Sequence, residues 1–119
     1  MSRSTSFVSP ETRIDGAPFA LEAESQVTLY RLVQEGLNNV EKHARANRAE
    51  VAVDWNERAL DVTIGDDGRG FDLAEVPAGH LGLHFMAERA SAIGAALDIE
   101  SQPGAGTVVK ISVPRLPGG

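Results

Sequence analysis

The clearest pattern near the start of the chain is that of a helix. Apolar residues recur every three or four positions, and one row of them consists of Leu29, Val33 and Leu37. That spacing is typical of one face of an amphipathic helix. Glu24 or Ser25 can cap its N-terminus, and the pattern predicts that the helix runs to about Arg45. Residues 7–20, which include two prolines, are predicted to form an extended edge segment.

The same helix carries a row of polar residues, formed by Glu35, Asn39 and His43. Residues four positions apart share a helix face. This row is two positions, or about 200°, out of phase with the apolar row, so we expect the two rows on opposite faces. A carboxylate, an amide and an imidazole, with Lys42 beside them, could bind a metal–polyphosphate. The alternative is a solvated helix surface.

Apolar and polar residues alternate in four later segments, as in half-buried strands. These segments lie at 50–55, 60–64, 97–101 and 107–114, and they are predicted to form two hairpins. A second helix is predicted from about Leu83 to Ile93, where Gly94 ends it. Its predicted apolar stripe consists of Leu83, Met86, Ala87, Ala90 and Ile93.

The order of these elements predicts an α+β fold. We expect a two-layer α/β sandwich, in which helices cover one face of a mixed, mostly antiparallel sheet. With 119 residues, the chain is expected to form one domain. We assign that domain to residues 7–119. Residues 1–6 are mostly polar and are expected to be a disordered start or an expression remnant.

Composition narrows the functions that such a domain can have. The formal net charge of −6 argues against binding to nucleic acid or to an anionic membrane surface. Phosphate would have to be bound locally, by backbone N–H groups, a metal and a few cations. The chain contains no cysteine, which excludes disulfides and thiolate metal sites. It shows no apolar run of transmembrane length and no visible signal peptide.

Asp66 is the sharpest candidate for a binding residue. Strand alternation places it on the same face as the apolar residues Leu60, Val62 and Ile64. A carboxylate on a buried face is costly unless it is hydrogen-bonded, and this one could accept the exocyclic amino group of a purine. The alternative is a strand-end aspartate that turns to solvent or caps the Gly68–Gly70 turn. Taken by itself, Asp66 favours that alternative.

Glycines follow this strand at two places. Gly68 and Gly70 permit positive φ angles and let a ligand approach the backbone, although any tight turn could look the same. Gly79 and Gly82 precede the second helix, whose free N–H groups could bind phosphate. An ordinary glycine-rich helix entry is an equal alternative for the second pair.

Two further residues could complete a nucleotide site. Asn39 could bind magnesium through its side-chain oxygen, because magnesium keeps several waters and takes other oxygens from phosphates. Thr107 could place a hydroxyl group beside the base. The alternatives are a solvated amide and an ordinary first residue of a strand. The three histidines show no spacing that suits zinc.

In their order and spacing, these motifs resemble the ATP-binding fold shared by gyrase-type ATPases, Hsp90-type chaperones, MutL-type proteins and sensor histidine kinases. The resemblance is carried by Glu35-x-x-x-Asn39 with Lys42-His43 (the N box), Asp66-x-Gly68-x-Gly70 (G1), Gly79-x-x-Gly82-Leu83 (G2) and Gly106-Thr107. Residues 29–35, 67–72 and 86–90 further resemble the bacterial histidine kinases that pair with NarL-type response regulators.

The resemblance implies a site for Mg·ATP. Asp66 would bind the adenine amino group, Asn39 would bind magnesium, and Lys42 and His43 would contact phosphates. The full set of implied nucleotide-binding residues is Lys42, His43, Asp66, Gly68, Gly70, Gly79, Leu81, Gly82, Leu83 and Thr107. Glu35 and Asn39 are the implied catalytic residues. Glu35 would act as a base, as in the ATPases, or only organise magnesium and water, as this kinase subfamily suggests.

The resemblance also implies that the chain is the catalytic ATP-binding domain of a longer kinase. A phosphoacceptor histidine is normally followed by an acid, and none of His43, His80 and His84 is. We therefore expect the acceptor on a separate dimerisation domain, N-terminal to this C-terminal one. We also expect a NarL-type response regulator as downstream partner, no nucleic-acid partner, a monomeric isolated domain and a cytoplasmic location, either free or beneath a membrane anchor. The alternatives are an anti-sigma-factor-type serine kinase, a nucleotide-binding regulatory module and a non-enzymatic interaction domain.

Overall fold

The described part of the chain alternates strands and helices. A computed structural model describes residues 11–40, 47–70 and 83–115, with the side chains of residues 83 and 84 left out. In chain order its elements are β1 (Glu11–Gly16), α1 (Ala23–Asn39), β2 (Ala49–Trp55), β3 (Ala59–Asp66), α2 (Leu83–Ala92), β4 (Ala96–Ser101) and β5 (Thr107–Pro114).

The strands form one sheet in the order β1-β2-β3-β5-β4. β1 pairs with β2 in parallel, and the other neighbours are antiparallel. The parallel pair follows from the connection, because α1 lies between β1 and β2 in the chain and carries it back across the sheet. The predicted mixed, mostly antiparallel sheet is therefore confirmed.

The hydrophobic core lies between the sheet and the two helices. Alternate residues of β3 and β5 point into it, and each of them is buried: Leu60, Val62, Ile64, Val109, Ile111 and Val113. α1 contributes Leu32, the position directly after its end contributes Val40, and α2 contributes Met86 and Ala90. Both helices pack on the same face of the sheet, which confirms the predicted two-layer sandwich.

The buried line of α1 differs from the predicted one. Leu32, Gly36 and Val40 are the most buried residues of this helix face, whereas the predicted row at 29, 33 and 37 is only partly buried. Both Glu35 and Asn39 are half-buried. At 100° per residue, the polar and apolar rows flank the line through Gly36 on either side. The two rows therefore lie on opposite sides of the buried line, as predicted, and both are partly buried.

Gly36 is the point at which α1 approaches β3 most closely. A Cβ atom on this residue would lie 2.7 Å from Cδ1 of Ile64. Glycine inside a helix costs about 1 kcal/mol relative to alanine. Here the missing side chain provides the space that the Ile64 side chain occupies.

The observed helix ends agree with some of the predicted ends and differ from others. α1 is capped at Glu22, whose carbonyl oxygen accepts from the Gln26 N–H at 3.0 Å, so Glu24 and Ser25 were the wrong caps. The predicted extension to residue 45 lies outside the described residues. α2 ends as predicted, because Gly94 adopts a φ of +72°. Ala87, which was predicted to belong to its apolar stripe, is exposed.

Candidate functional site

Asp66 is the last residue of β3 and continues the face on which Val62 and Ile64 are buried. Its Oδ1 accepts a hydrogen bond from the Gly68 N–H at 2.8 Å. The side chain is half-buried, so it does not simply turn to solvent. The carboxylate therefore caps the following turn, as one hypothesis held, while it stays at the edge of the apolar face, as the other required.

The environment of the Asp66 carboxyl raises its pKa above the ordinary value of 3.8. Burial is the main cause, and the negative charge of Asp67 adds to it. Hydrogen bonds from the backbone N–H groups of Gly68 and Thr107 act in the opposite direction. A carboxylate offers about four lone-pair sites, so these two donors leave capacity for another. A hydrogen-bond donor on a ligand would replace the water that burial has removed from the Asp66 carboxylate.

A row of polar side chains crosses three strands at this end of the sheet. Asp66 is the register partner of Thr107 on β5, and Thr107 is in turn the register partner of Ser101 on β4. The hydroxyl oxygens of Thr107 and Ser101 lie 2.8 Å apart. The next row inward is apolar and consists of Ile64, Val109 and Ile99. The polar row thus closes the helix-facing side of the sheet at one end.

The loop after β3 packs directly against the loop that joins β4 and β5. Gly70 has a φ of +62°, and a Cβ atom on it would lie 2.1 Å from the Gln102 carbonyl oxygen. Gly106 has a φ of +79°, and its Cβ would lie 2.2 Å from the Asp66 carbonyl oxygen. The Gly104 N–H also donates to the Arg69 carbonyl oxygen. The contact between the two loops therefore excludes side chains at both glycines and fixes where Thr107 stands beside Asp66.

Asp67 connects this loop to the residues that precede β2. Its Oδ1 accepts from the Asn47 N–H at 2.9 Å and from the Arg48 N–H at 2.8 Å. The hydrogen bond from Arg48 is the main cause of a lowered pKa of the Asp67 carboxyl. Local sequence gives no signal for this role of Asp67, because its partners are 19 and 20 positions earlier in the chain.

Glu35 and Asn39 lie on the last two turns of α1. Asn39 follows the Gly36 contact with β3 by three residues, or about 4.5 Å of helix rise. Glu35 lines a cleft of about 210 Å³ between the two helices. The other residues that line this cleft are Arg31, Gln34, Asn38, Phe85, Met86 and Arg89. The cleft therefore combines one carboxylate, two guanidinium groups and amides.

Several predicted site residues lie outside the described residues, namely Lys42, His43, Gly79, Leu81 and Gly82. Leu83 is the first residue of α2. Of the predicted site, the structure brings together Asp66, Gly68, Gly70 and Thr107. It places Glu35 and Asn39 on the helix that packs on the same strand. Neither α1 nor α2 has the length and apolar character that a bilayer-spanning helix needs.

Comparison with known proteins gives one consistent result. The model of the histidine kinase-, DNA gyrase B-, and HSP90-like ATPase family matches residues 24–117. The signal transduction histidine-protein kinase/phosphatase DegS of Brevibacillus brevis is 39% identical over 89 residues, which are 75% of this chain and 23% of DegS. The sensor histidine kinase LiaS of Bacillus subtilis is 38% identical over 89 residues, which are 75% of this chain and 25% of LiaS.

A solved structure has the same arrangement. The histidine kinase domain of the blue-light activated histidine kinase of Erythrobacter litoralis EL346 superimposes with a TM-score of 0.68 at 28% identity. The match covers 87% of this chain and 51% of that domain. The chain spans about a quarter of the length of the curated relatives described above.

Proposed function

This chain belongs to the family of histidine kinase-, DNA gyrase B-, and HSP90-like ATPases, and we propose that it serves as the catalytic domain of a sensor histidine kinase. In this role it binds Mg·ATP and supplies the γ-phosphate to a histidine on a separate dimerisation domain. The relatives favour this function over a serine kinase of the same fold, because they are named histidine kinases.

The observation that carries the proposal is the carboxylate of Asp66 at the edge of an apolar face. Adenine has a flat apolar ring and one amino group that must find an acceptor when it is buried. Asp66 supplies that acceptor, and its position is fixed by hydrogen bonds from Gly68 and Thr107. Val62 and Ile64 continue the same face of β3 into the buried core, so the carboxylate lies where the apolar side chains begin.

The phosphate end of the site is assigned to α1, to the residues that follow it and to the glycine-containing segment before α2, on the basis of the family's motifs. Lys42 and His43 contact phosphate oxygens, and Gly79, Gly82 and Leu83 belong to the base of a lid. These assignments rest on the motifs alone.

The donors on α1 suit magnesium. Asn39 offers a half-buried amide oxygen and Glu35 a half-buried carboxylate, and hard oxygen ligands of this kind are those that magnesium prefers. Asn39 would bind the ion directly, and Glu35 would orient its water. When bound, magnesium neutralises charge on the phosphate oxygens.

The chemistry that follows is transfer of the γ-phosphoryl group. The bond between the γ-phosphorus and the β–γ bridging oxygen breaks, and a bond to a histidine nitrogen forms. ADP leaves, and the histidine proton passes to a base near the acceptor. The residues of this chain bind and orient ATP, so catalysis is mainly positioning and charge neutralisation. The response regulator downstream is of the NarL type, the isolated domain is monomeric, and the kinase domain works in the cytoplasm.

The test separates nucleotide binding from phosphoryl transfer. Calorimetry of the chain with ATP and magnesium should show binding, with ADP bound as well. Incubation with γ-labelled ATP should leave no acid-labile label on the chain alone. Addition of the dimerisation domain of its own kinase should produce label on that domain. Absence of ATP binding, or acid-labile label on the chain by itself, would contradict the proposal.

A further inference from the structure

Asp67 attaches the end of β3 to the residues that precede β2. Its Oδ1 accepts hydrogen bonds from the N–H groups of Asn47 at 2.9 Å and Arg48 at 2.8 Å. Its own N–H donates to the Arg48 carbonyl oxygen at 3.2 Å. The last register pair of the β2–β3 ladder is Ala49 with Asp66, so these three bonds continue the ladder by one residue. Both the backbone and the side chain of Asp67 are thus held to the start of β2.

This attachment bears on Asp66 because Asp67 is the middle residue of the turn that orients the Asp66 carboxylate. Oδ1 of Asp66 accepts from the Gly68 N–H at 2.8 Å, and that hydrogen bond spans Asp67. Its geometry depends on the φ and ψ angles of Asp67, which the bonds to residues 47 and 48 restrain. The Asp67 side chain is itself exposed and adds nothing to the apolar face. Its effect on a bound base therefore passes through Asp66.

We propose that Asp67 is a positioning residue for the Asp66 carboxylate, which its hydrogen bonds to the segment before β2 hold towards the amino group of adenine. Without these bonds the turn at residues 66–68 is free to change conformation, and the carboxylate can turn to solvent. The apolar face and the oxygen donors on α1 stay in place. This inference rests on the proposed function, because it requires that the base of ATP lies against Asp66.

Loss of these bonds should affect recognition of the amino group more than nucleotide binding in general. The probe is purine riboside triphosphate, which has the ring nitrogens of ATP but a hydrogen atom in place of the amino group. In Asp67→Ala, ATP affinity should fall roughly three- to tenfold, the effect of about one hydrogen bond. Affinity for the analogue should be nearly unchanged. The preference for ATP over the analogue should therefore narrow by the same factor.

Asp67→Asn separates the effect of the hydrogen bonds from that of the charge. Asparagine keeps a side-chain oxygen that can accept from both N–H groups, and it lacks the negative charge as alanine does. Asp67→Asn should therefore keep the wild-type preference. If Asp67→Ala does not fold, Asp67→Glu takes its place, because the longer side chain displaces the carboxylate from the two N–H groups. It should narrow the preference in the same way.

Asn56 provides a matched control at the other end of the β2–β3 hairpin. Its Oδ1 accepts from the N–H groups of Arg58 and Ala59, both at 3.0 Å. Its own N–H donates to the Ala59 carbonyl oxygen, also at 3.0 Å. Asn56→Ala thus removes the same kind of support from the same two strands, but far from Asp66. It should lower the melting temperature and leave the nucleotide preference unchanged.

Calorimetric titration of both nucleotides into each protein gives the preference, and thermal melts establish that each variant is folded. A narrowed preference in Asp67→Ala, with Asp67→Asn and Asn56→Ala like the wild type, supports the inference. Equal losses for both nucleotides, an unchanged preference, or the same narrowing in either control overturns it and leaves ATP binding by the wild type intact. A wild type that does not distinguish ATP from the analogue also overturns it. A wild type that binds neither nucleotide overturns the proposed function as well.

Discussion

Asp66 and Thr107 form the last register pair of the β3–β5 ladder, and the Thr107 N–H hydrogen-bonds to the Asp66 carboxylate. This pairing places a half-buried charge and a hydroxyl group side by side at the end of an apolar face. The absence of a side chain at Gly106 leaves room for the Asp66 backbone at this point. The proposed base pocket is therefore a product of sheet register and loop packing.

The raised pKa of Asp66 predicts how ATP binding depends on pH. As the pH falls, binding should begin to weaken at a higher pH than it would with an aspartate of ordinary pKa. Protonation removes an acceptor, so affinity falls as the pH drops through the folded pKa. The stability of the free domain should change in the opposite direction and increase as the pH falls. A folded pKa above the unfolded one means that the ionised group disfavours folding, and this penalty is lost at low pH.

Both trends are measured as the difference between wild type and Asp66→Asn, which cancels the titration of ATP and of other carboxyl groups. The wild type should lose its advantage in ATP affinity with falling pH, while its stability relative to the variant rises. A difference that stays constant across the titration would contradict the assignment of Asp66.

Asn39→Ala should abolish the contribution of magnesium to ATP binding. The ratio of the ATP dissociation constants with and without magnesium should approach about 1, because the ion loses its assigned protein ligand. The control is Asn38→Ala, since Asn38 is a neighbouring exposed amide that lies about 100° around the helix. An Asn39 variant that retains the full magnesium dependence would exclude Asn39 as the ligand.

Gly70→Ala should destabilise the domain more than Gly104→Ala. Both glycines have positive φ, of +62° and +81°, so each alanine incurs a backbone cost of about 1–2 kcal/mol. Gly104 has open space around its Cβ position, whereas Gly70 meets the Gln102 carbonyl oxygen. Overpacking adds about 1–3 kcal/mol at Gly70. Urea unfolding measures the difference, and equal losses at the two sites would disprove the loop contact.

Gly36→Ala and Ile64→Val should be coupled. The alanine gains about 1 kcal/mol of helix propensity, but its Cβ meets the Cδ1 atom of Ile64. Valine lacks that atom, and Ile64→Val alone should cost about 0.5–1.5 kcal/mol. In a double-mutant cycle the pair should therefore be more stable than the sum of the single changes by about 0.5–1 kcal/mol. Strict additivity would contradict the contact.

The local pattern of apolar and polar residues was sufficient to predict the helices and strands and the face of β3 on which Asp66 lies. Strand alternation has a period of two, so the face of Asp66 follows from Leu60 onward without knowledge of the rest of the fold. A helix pattern decides less. Two neighbouring rows of α1 are apolar, one at 29, 33 and 37 and the other at 32, 36 and 40, so the sequence does not show which row is the most buried. Contact between Gly36 and Ile64 decides it, and that contact is tertiary.

The supporting hydrogen bonds were not predictable from local pattern. Asp67 accepts hydrogen bonds from the backbone N–H groups of Asn47 and Arg48, which lie far earlier in the chain. The residues next to Asp67 give no sign of these bonds. Ser101 had a weak signal, because strands on either side of a five-residue loop make Ser101 and Thr107 a closing pair. Its donation to Gly106 depends on the turn geometry, which sequence spacing does not give.

The most direct test of the account is calorimetric titration of Mg·ATP into the wild type and Asp66→Asn at neutral pH. Loss of a hydrogen bond to a charged acceptor should weaken binding by roughly ten- to hundredfold. The variant should remain folded, because the carboxylate it replaces is already disfavoured by burial. Asp61→Asn, on the same strand but the opposite face, is the control and should bind ATP like the wild type. Equal affinity of wild type and Asp66→Asn for ATP would contradict the proposed site.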